Sequence, residues 1–551
     1  MATILGGALG EDVHVAGIMN FLRLAEAQGY RTEFLGPAVP IEDFIGAIRE
    51  TDPEIVAVGY RLTPETGEAI LKDFRAALVE AGLTHKRYCF GGTPPVAGRA
   101  RQMGMFEAVF SGEEPLENII AYLKGQNVDV SSAAAFPTEL VPRLAGKAPF
   151  PVIRHHFGLP AESIEPTVEG IRRIAEAAVL DVISLGPDQD AQENFFHPER
   201  CEPSRKGAGG VPIRSEDDFR ALYAATRRGN YPLLRSYSGT NDLLRYAKML
   251  RETINNAWCA TSTFWFNVLD RRGPIPLEES ITEHFRLMAW HGERNIPLEG
   301  NESHHWELRD AHDTVAVAAS YISAYAAKKM GVRDYIAPYM FNSPPQLADK
   351  MDLAKMLAKA EMAEALQDDD YRCYRQTRTG LLSYPVDPDY AKGQLAASVY
   401  VQMAMHPHIV HVVASCEADH AATPEDVIES CKIARQVIQN SLYGMPDMTA
   451  DPEIQARKEE LKTEAEVLLQ AIRNLGSDKP DPLVDPATLA QAVKLGLLDA
   501  PHLKGNPHGA GLVTTKIVNG ANCAVDPETG RVLKEAERIE RLAGRKVSAG
   551  H

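Results

Sequence analysis

The sequence predicts an α/β protein with two parallel-sheet units and a small C-terminal cap. Short apolar runs typical of strands alternate with longer stretches whose apolar residues recur at helical spacing. The chain has 551 residues, more than one ordinary hydrophobic core accommodates. A segment rich in serine, alanine and proline, residues 129–149, divides the pattern into a shorter and a longer series and is expected to be a linker.

The first series predicts a doubly wound, flavodoxin-like domain over residues 1–128. Helical stretches such as residues 15–28 and 40–50 separate its strand candidates. Strands that alternate with helices in this way form a parallel sheet, because each helix carries the chain back to the end of the sheet at which the previous strand began. The five strand candidates are residues 3–5, 32–35, 55–59, 87–92 and 108–110.

The second series predicts a (β/α)8 barrel over residues 150–475. Eight strand candidates, each followed by a helical stretch, fit this fold, and polar residues cluster at the C-terminal ends of the strands. A charged helix over residues 451–475 ends the barrel, and residues 476–551 are expected to form a cap or arm. The candidates are residues 151–155, 181–185, 211–215, 232–237, 296–300, 335–340, 372–378 and 409–415.

Composition restricts the functional class. The formal net charge is −17, and a nucleic-acid-binding surface would need an excess of basic residues. No apolar run reaches the roughly 18 residues of a membrane span, and the first residues lack the pattern of a signal peptide, so a cytoplasmic protein is expected. The seven cysteines are scattered singly and do not form a zinc or cluster-binding motif.

A candidate cofactor motif follows the first predicted strand. Asp12 precedes His14 by two residues, and Gly17 completes an Asp-x-His-x-x-Gly pattern. A carboxylate beside a histidine can orient the ring while the other ring nitrogen binds a metal. The alternative is an ordinary helix cap, but the pattern lies near the expected ligand-binding edge of an open α/β sheet.

With this motif and the pair Gly91–Gly92, the first 126 residues resemble the B12-binding domain family. The resemblance implies that His14 is the lower axial ligand of cobalt and that Asp12 is its hydrogen-bond partner. It also implies that Gly17, Gly91 and Gly92 line the channel for the nucleotide tail of cobalamin. The fold and the cofactor expected from it are therefore a flavodoxin-like domain and cobalamin.

The same resemblance shows one departure after the third strand. The family usually has Ser-x-Leu there, whereas this chain has Tyr60, Arg61 and Leu62. A bulky phenol replaces the small hydroxyl group that would meet the base of the tail. Tyr60 and Leu62 are therefore predicted to contact the tail with altered geometry.

The barrel part, residues 151–532, resembles the catalytic chain of glutamate mutase, also named methylaspartate mutase. By resemblance Arg154, at the end of the first strand, and Arg214, at the end of the third, would hold a substrate carboxylate. The alternative is that each arginine pairs with a structural acid. Three further motifs support the resemblance: Tyr246-Ala247-Lys248, Tyr384-Pro385-Val386-Asp387 and Lys504-Gly505-Asn506.

Departures from the mutase pattern predict a substrate other than glutamate. Gln192 replaces an arginine of the family, and Ser236 replaces the glutamate that would bind the substrate ammonium. The lysine and glutamate that anchor adenosine fall near Cys416, Glu417 and His420. A site built to pair a charge rejects a ligand that lacks it, so we expect the pocket to accept a different small carboxylate.

Two adjacent histidines are further candidates for the substrate site. His304 and His305 follow the fifth predicted strand and could bind a substrate carbonyl or hydroxyl group. The alternative for each is a polar loop containing a buried histidine. A metal site of His304, His312 and Asp310 is disfavoured because their spacing matches no short zinc signature.

The resemblance implies an adenosylcobalamin-dependent radical mutase. A corrinoid methyltransferase is the alternative from another reaction class, and a non-catalytic corrinoid carrier is disfavoured by the polar barrel mouth. The expected partner is a small carboxylate substrate, without nucleic acid or membrane. A homodimer is also expected.

Overall fold

The computed structural model describes residues 2–112, 114, 116–125, 136–237 and 239–548. These residues form two compact units, and the second unit begins at Phe136. Part of the predicted linker, residues 129–135, lies outside the described residues. No helix in the described part of the chain is both long and apolar enough to cross a membrane.

The first unit is a five-stranded parallel sheet with helices between the strands, as the sequence predicted. The strand order is β2-β1-β3-β4-β5, so the direction of winding reverses between β1 and β3. The strands are β1 (Thr3–Ala8), β2 (Arg31–Phe34), β3 (Ile55–Gly59), β4 (Arg87–Gly91) and β5 (Ala108–Phe110). The helices are α1 (Ala16–Ala27), α2 (Ile41–Thr51), α3 (Pro64–Glu80), α4 (Pro94–Gln102) and α5 (Leu116–Leu123).

The second unit is a nearly closed parallel barrel, which confirms the predicted fold. After α6 (Leu140–Lys147) it contains β6 (Val152–Phe157), β7 (Val182–Leu185), β8 (Leu233–Arg235), β9 (Cys259–Thr261), β10 (Leu298–Gly300), β11 (Asp334–Phe341), β12 (Arg372–Thr379) and β13 (Ile409–Val412). The first and eighth strands, β6 and β13, pair in parallel. Between β8 and β9 a hydrogen bond from the Ala257 amide to the Leu234 carbonyl, 3.1 Å, spans the gap.

The barrel helices follow their strands in sequence. They are α7 (Glu165–Ala177), α8 (Gln189–Glu193), α9 (Glu216–Ala225), α10 (Leu243–Ile254), α11 (Leu277–Gly292), α12 (Glu302–Glu307), α13 (Asp313–Lys329), α14 (Asp349–Glu364), α15 (Pro388–Gln402) and α16 (Pro424–Tyr443). The helix α13 has mainly buried residues, because it packs between the barrel and α17 (Pro452–Leu475).

One predicted barrel strand is wrong and one strand was missed. Residues 211–215 make only an isolated bridge between Val211 and Pro187. Pro212 lacks the amide proton that a ladder needs, and Ser215 already forms the capping box that begins α9. The missed strand is β9, whose three residues are too short to show the alternation by which strands are recognised.

The C-terminal residues belong to the same compact unit as the barrel. They form α18 (Pro486–Lys494), an antiparallel hairpin of β14 (Thr515–Val518) and β15 (Ala521–Ala524), and α19 (Glu535–Ser548). Leu489 of α18 and Ile472 of α17 are buried in one apolar core with residues of α13 and α14. The described part of the predicted cap therefore packs on the outer helices.

Candidate functional site

The loop between β1 and α1 holds the imidazole of His14 in one orientation. Its Nδ1 lies 2.7 Å from Oδ1 of Asp12, and its backbone amide donates to the same oxygen at 2.9 Å. The carboxylate of Asp12 is fully buried, whereas 46% of the His14 side chain is exposed. The ring is therefore fixed through one nitrogen and leaves the other nitrogen for a ligand outside the loop.

The carboxylate of Asp12 also joins the two loops at the point where the strand order reverses. Its Oδ2 accepts a hydrogen bond from the backbone amide of Arg61, which follows β3, at 2.6 Å. Ligands of open α/β sheets bind at this reversal point. A carboxylate that orients an imidazole is the usual outer partner of a metal-bound histidine. These residues therefore fit a cofactor whose metal is bound by His14.

The predicted channel glycines have different surroundings. A Cβ atom at Gly17 or Gly91 would meet nothing within 4 Å, whereas one at Gly92 would collide with the backbone oxygen of Tyr60. Gly17 and Gly91 thus leave open space at the ligand edge of the sheet. Gly92 is required by the close approach of the backbone after β3.

These surroundings predict that two alanine substitutions change different properties of the first unit, one its stability and the other its affinity for cobalamin. Gly92→Ala is expected to destabilise the first unit by roughly 1–3 kcal/mol, because the added methyl group overpacks against backbone. Gly91→Ala is expected to leave stability within about 0.5 kcal/mol and to weaken cobalamin binding by occupying the open space. Amide hydrogen exchange of β3 and β4 and a cobalamin titration measure the two effects. Equal stability of the two variants would contradict this assignment.

Tyr60 lies in the core, and Leu62 lies at the surface. The Tyr60 hydroxyl donates to Oγ1 of Thr66 at 2.8 Å, and the ring packs against Gly67 of α3. The side chain of Leu62 is 42% exposed. The phenol is therefore directed toward α3, which explains how a bulky residue is accommodated after β3. Contact of either residue with a nucleotide tail stays a prediction.

The barrel unit contains a cavity of about 770 Å³, lined by residues in the C-terminal parts of its strands and in the loops that follow them. Four predicted site residues line it: Gln192, His304, His305 and Glu417. The other polar lining residues are His155, His156, Tyr237, Arg272, Asn301, Arg309, Arg378, His411 and His502. The predicted residues Arg154, Arg214, Ser236 and His420 are not part of the lining.

Arg154 lies in the barrel interior and is paired with an acid. Its Nη1 donates to Glu299 at 2.7 Å, its Nε donates to Ser184 at 2.7 Å, and the side chain is fully buried. Arg235 lies 3.6 Å from the same carboxylate, and two of its nitrogens have no hydrogen-bond partner among the described residues. Two guanidinium groups thus share one carboxylate, which leaves positive charge inside the barrel.

Arg214 differs from its prediction in position. It precedes α9 instead of ending a barrel strand, and its guanidinium donates two hydrogen bonds to Asp188, at 2.7 and 2.6 Å. Binding of a substrate carboxylate by Arg214 stays a prediction, and it would require competition with Asp188. Ser236 follows β8 and is buried, and its hydroxyl has no partner among the described residues.

His420 lies in an exposed group after β13. Its ring nitrogens lie 2.8 Å from Asp419 and 3.1 Å from Asp426, and Asp426 caps the start of α16 through Thr423. The ligand atoms of Cys416, His420 and Asp426 lie within 4.8 Å of one another. The carboxylates that already hold both nitrogens account for the orientation of this ring.

Sequence reasoning missed Arg378, which lies near the C-terminal end of β12 and lines the cavity. The strand that contains it, residues 372–378, was predicted correctly. An arginine at the C-terminal end of a barrel strand could have marked it as a candidate site residue. Burial lowers the pKa of Arg378 below its ordinary value. Tyr384, from a motif of the resemblance, donates its hydroxyl to the Val413 carbonyl at 3.0 Å near the same cavity.

The family model and the curated relative that match this chain cover about a fifth of it. Residues 2–120 match the family described as B12 binding domain. The chain is 31% identical over 132 residues to glutamate mutase sigma subunit 2 of Haloarcula marismortui. The aligned region covers 22% of this chain and 86% of that protein.

Two solved structures are also similar. A cobalamin-binding protein from Desulfitobacterium hafniense is 25% identical with a TM-score of 0.20; the match covers 22% of this chain and spans 56% of the length of that protein. A phospho-2-dehydro-3-deoxyheptonate aldolase from Thermotoga maritima is 13% identical with a TM-score of 0.33, covering 54% of this chain and 71% of the aldolase.

Proposed function

Because the chain belongs, through residues 2–120, to the B12-binding domain family, we propose that it is an adenosylcobalamin-dependent carbon-skeleton mutase. The observation that supports this most strongly is the oriented His14–Asp12 pair at the reversal point of the sheet. Bound adenosylcobalamin would supply an adenosyl radical for hydrogen abstraction. The substrate would be a small carboxylate other than glutamate.

Each part of the chain has a role in this proposal. His14 would bind cobalt, Asp12 would orient the imidazole, and Gly17 and Gly91 would leave room for the nucleotide tail. The barrel cavity would hold the substrate away from water, which protects a radical from side reactions. Glu417 and His420, predicted to contact the cofactor where the resemblance places its adenosine anchors, lie after β13, and only Glu417 lines the cavity.

The alternative is a corrinoid methyltransferase, which would need no site for a nucleoside. The departure from the family at the adenosine-anchoring positions favours this alternative. The two functions differ in the form of the cofactor that supports turnover. We would load the full chain with adenosylcobalamin or methylcobalamin and screen small carboxylates for rearranged products. Product formed only with adenosylcobalamin is expected, and methyl transfer from methylcobalamin would favour the alternative.

Glutamate is expected to be a poor substrate. Gln192 lines the cavity where the resemblance places an arginine, and Ser236 stands where it places a carboxylate. Each missing charged contact should cost roughly 2–4 kcal/mol of transition-state stabilisation, or about 30- to 1000-fold in rate. A methylaspartate assay of the loaded protein should therefore detect no product. Efficient interconversion of glutamate and methylaspartate would contradict the expected specificity.

A further inference from the structure

The guanidinium group of Arg378 lines the barrel cavity and has no acidic partner within ion-pair distance among the described residues. Its Nε donates a long hydrogen bond of 3.4 Å to the Thr379 carbonyl. It forms no ion pair among the described residues, and the carboxylates of Glu417 and Glu299 act on its charge only from beyond ion-pair distance. A guanidinium is always charged and carries five donors arranged to bind a carboxylate. The position therefore supplies unused donors to an anionic ligand.

The other arginines near the cavity already have acidic neighbours. Arg154 pairs with Glu299 at 2.7 Å. Arg309 and Arg272 lie 3.4 and 3.9 Å from the same carboxylate, that of Asp270. Among the lining arginines that the structure describes, Arg378 alone has no carboxylate within ion-pair distance.

Several imidazoles line the cavity together with Arg378. Burial holds the pKa of His304, His305, His156 and His411 well below the ordinary value, and nearby guanidinium groups lower it further. Nε2 of His156 lies 3.2 Å from Nη2 of Arg154. Because a guanidinium can only donate, Nε2 of His156 accepts and Nδ1 carries the proton.

These imidazoles can bind an uncharged polar group. A neutral imidazole has one donor nitrogen and one acceptor nitrogen, as an amide or hydroxyl group requires. Nε2 of His304 is buried and has no hydrogen-bond partner among the described residues. Glu417 is the one carboxylate among the described residues of the lining and is exposed. A second negative charge on the ligand would face this group and would have to compete with Asp270 for Arg272 or Arg309.

We propose that Arg378 binds the single carboxylate of the substrate and that the histidine wall binds an uncharged polar group. The wall consists of His156, His304, His305 and His411. The barrel therefore selects a monocarboxylate carrying an amide, carbonyl or hydroxyl group over a dicarboxylate. This specificity deepens the proposed mutase function, but ligand binding can be measured without turnover, so the two can fail separately.

The test compares two ligands of equal size in the full cobalamin-loaded chain. Succinamate carries one carboxylate and one amide, whereas succinate carries two carboxylates. We expect titration calorimetry at pH 7.5 to show succinamate binding at least about tenfold more tightly, because a second carboxylate would lose its water and would gain only an arginine that Asp270 already neighbours. Equal or tighter binding of succinate would overturn the proposed specificity.

Variants of β12 test the role of Arg378. Arg378→Gln should weaken succinamate binding by about 10- to 100-fold, the value of a charge-assisted contact, and Arg378→Lys should give an intermediate loss. Arg372→Gln alters an exposed arginine at the other end of the same strand and should bind as the wild type does. Thermal melting checks that each variant folds. Undiminished binding by a folded Arg378→Gln variant, or no measurable succinamate binding by the wild type, would overturn the proposal.

Discussion

Glu299→Gln is expected to destabilise the barrel unit by about 3–5 kcal/mol, because it removes the one carboxylate among the described residues that lies within ion-pair distance of two buried guanidinium groups. The Glu299 carboxylate accepts from Arg154 at 2.7 Å and from the Trp258 indole at 2.6 Å, and Arg235 lies 3.6 Å away. All four tryptophans lie between residues 258 and 306, so tryptophan fluorescence during denaturant unfolding reports this unit.

The matched control is Glu169→Gln on the exposed surface of α7, which should change stability by less than about 0.5 kcal/mol. A similarly small change for Glu299→Gln would contradict the account of the barrel interior.

The contribution of Glu299 to the stability of the barrel unit should depend on pH with a defined sign. The neighbouring guanidinium groups lower the pKa of Glu299 to about 2 despite its burial. Its contribution is therefore complete above the ordinary pKa of 4.5 and is lost as the pH falls toward 2.

Asp12→Ala is expected to weaken cobalamin binding by about 10- to 100-fold, the usual effect of removing the outer partner of a metal-bound histidine. Asp12 accepts hydrogen bonds from the His14 amide, the His14 ring and the Arg61 amide. Its loss frees the imidazole to rotate and detaches the loop after β3. Equilibrium dialysis of the full chain with cobalamin measures the affinity.

Glu11→Gln provides the control for Asp12→Ala, because Glu11 is the neighbouring exposed carboxylate of the same loop. This variant should bind cobalamin as the wild type does. If Asp12→Ala binds with wild-type affinity while remaining folded, the carboxylate does not act through His14. If both variants lose affinity equally, the effect is one of loop charge, which would also contradict the proposed role.

Local sequence patterns were sufficient to predict most of the fold. All five strands of the first unit and seven of the eight barrel strands were found, because their apolar runs are bounded by helical stretches. The exceptions have physical reasons. Residues 211–215 combine apolar residues with a proline that cannot donate to a ladder. The strand β9 is held by its neighbour β10 through a register of three residue pairs, too short to leave a pattern in the sequence.

The candidate site was predictable only where its residues are close in sequence. Asp12 and His14 are two residues apart, so their contact could be foreseen. Arg154 and Glu299 are separated by 145 residues, and no sequence pattern shows that they pair inside the barrel. The unpartnered state of Arg378 depends in the same way on which acids the fold brings near it, so only the structure distinguishes it from the paired arginines.

Electron paramagnetic resonance of bound cobalt(II) cobalamin tests the central claim, that the His14 imidazole is the lower ligand of cobalt. We would compare protein grown on natural nitrogen with protein labelled uniformly with ¹⁵N, each loaded with unlabelled cofactor. If His14 binds cobalt, the nitrogen hyperfine triplet becomes a doublet on labelling, and His14→Ala abolishes this change. A triplet that persists in the labelled wild type would show that the lower ligand comes from the cofactor and would contradict the account.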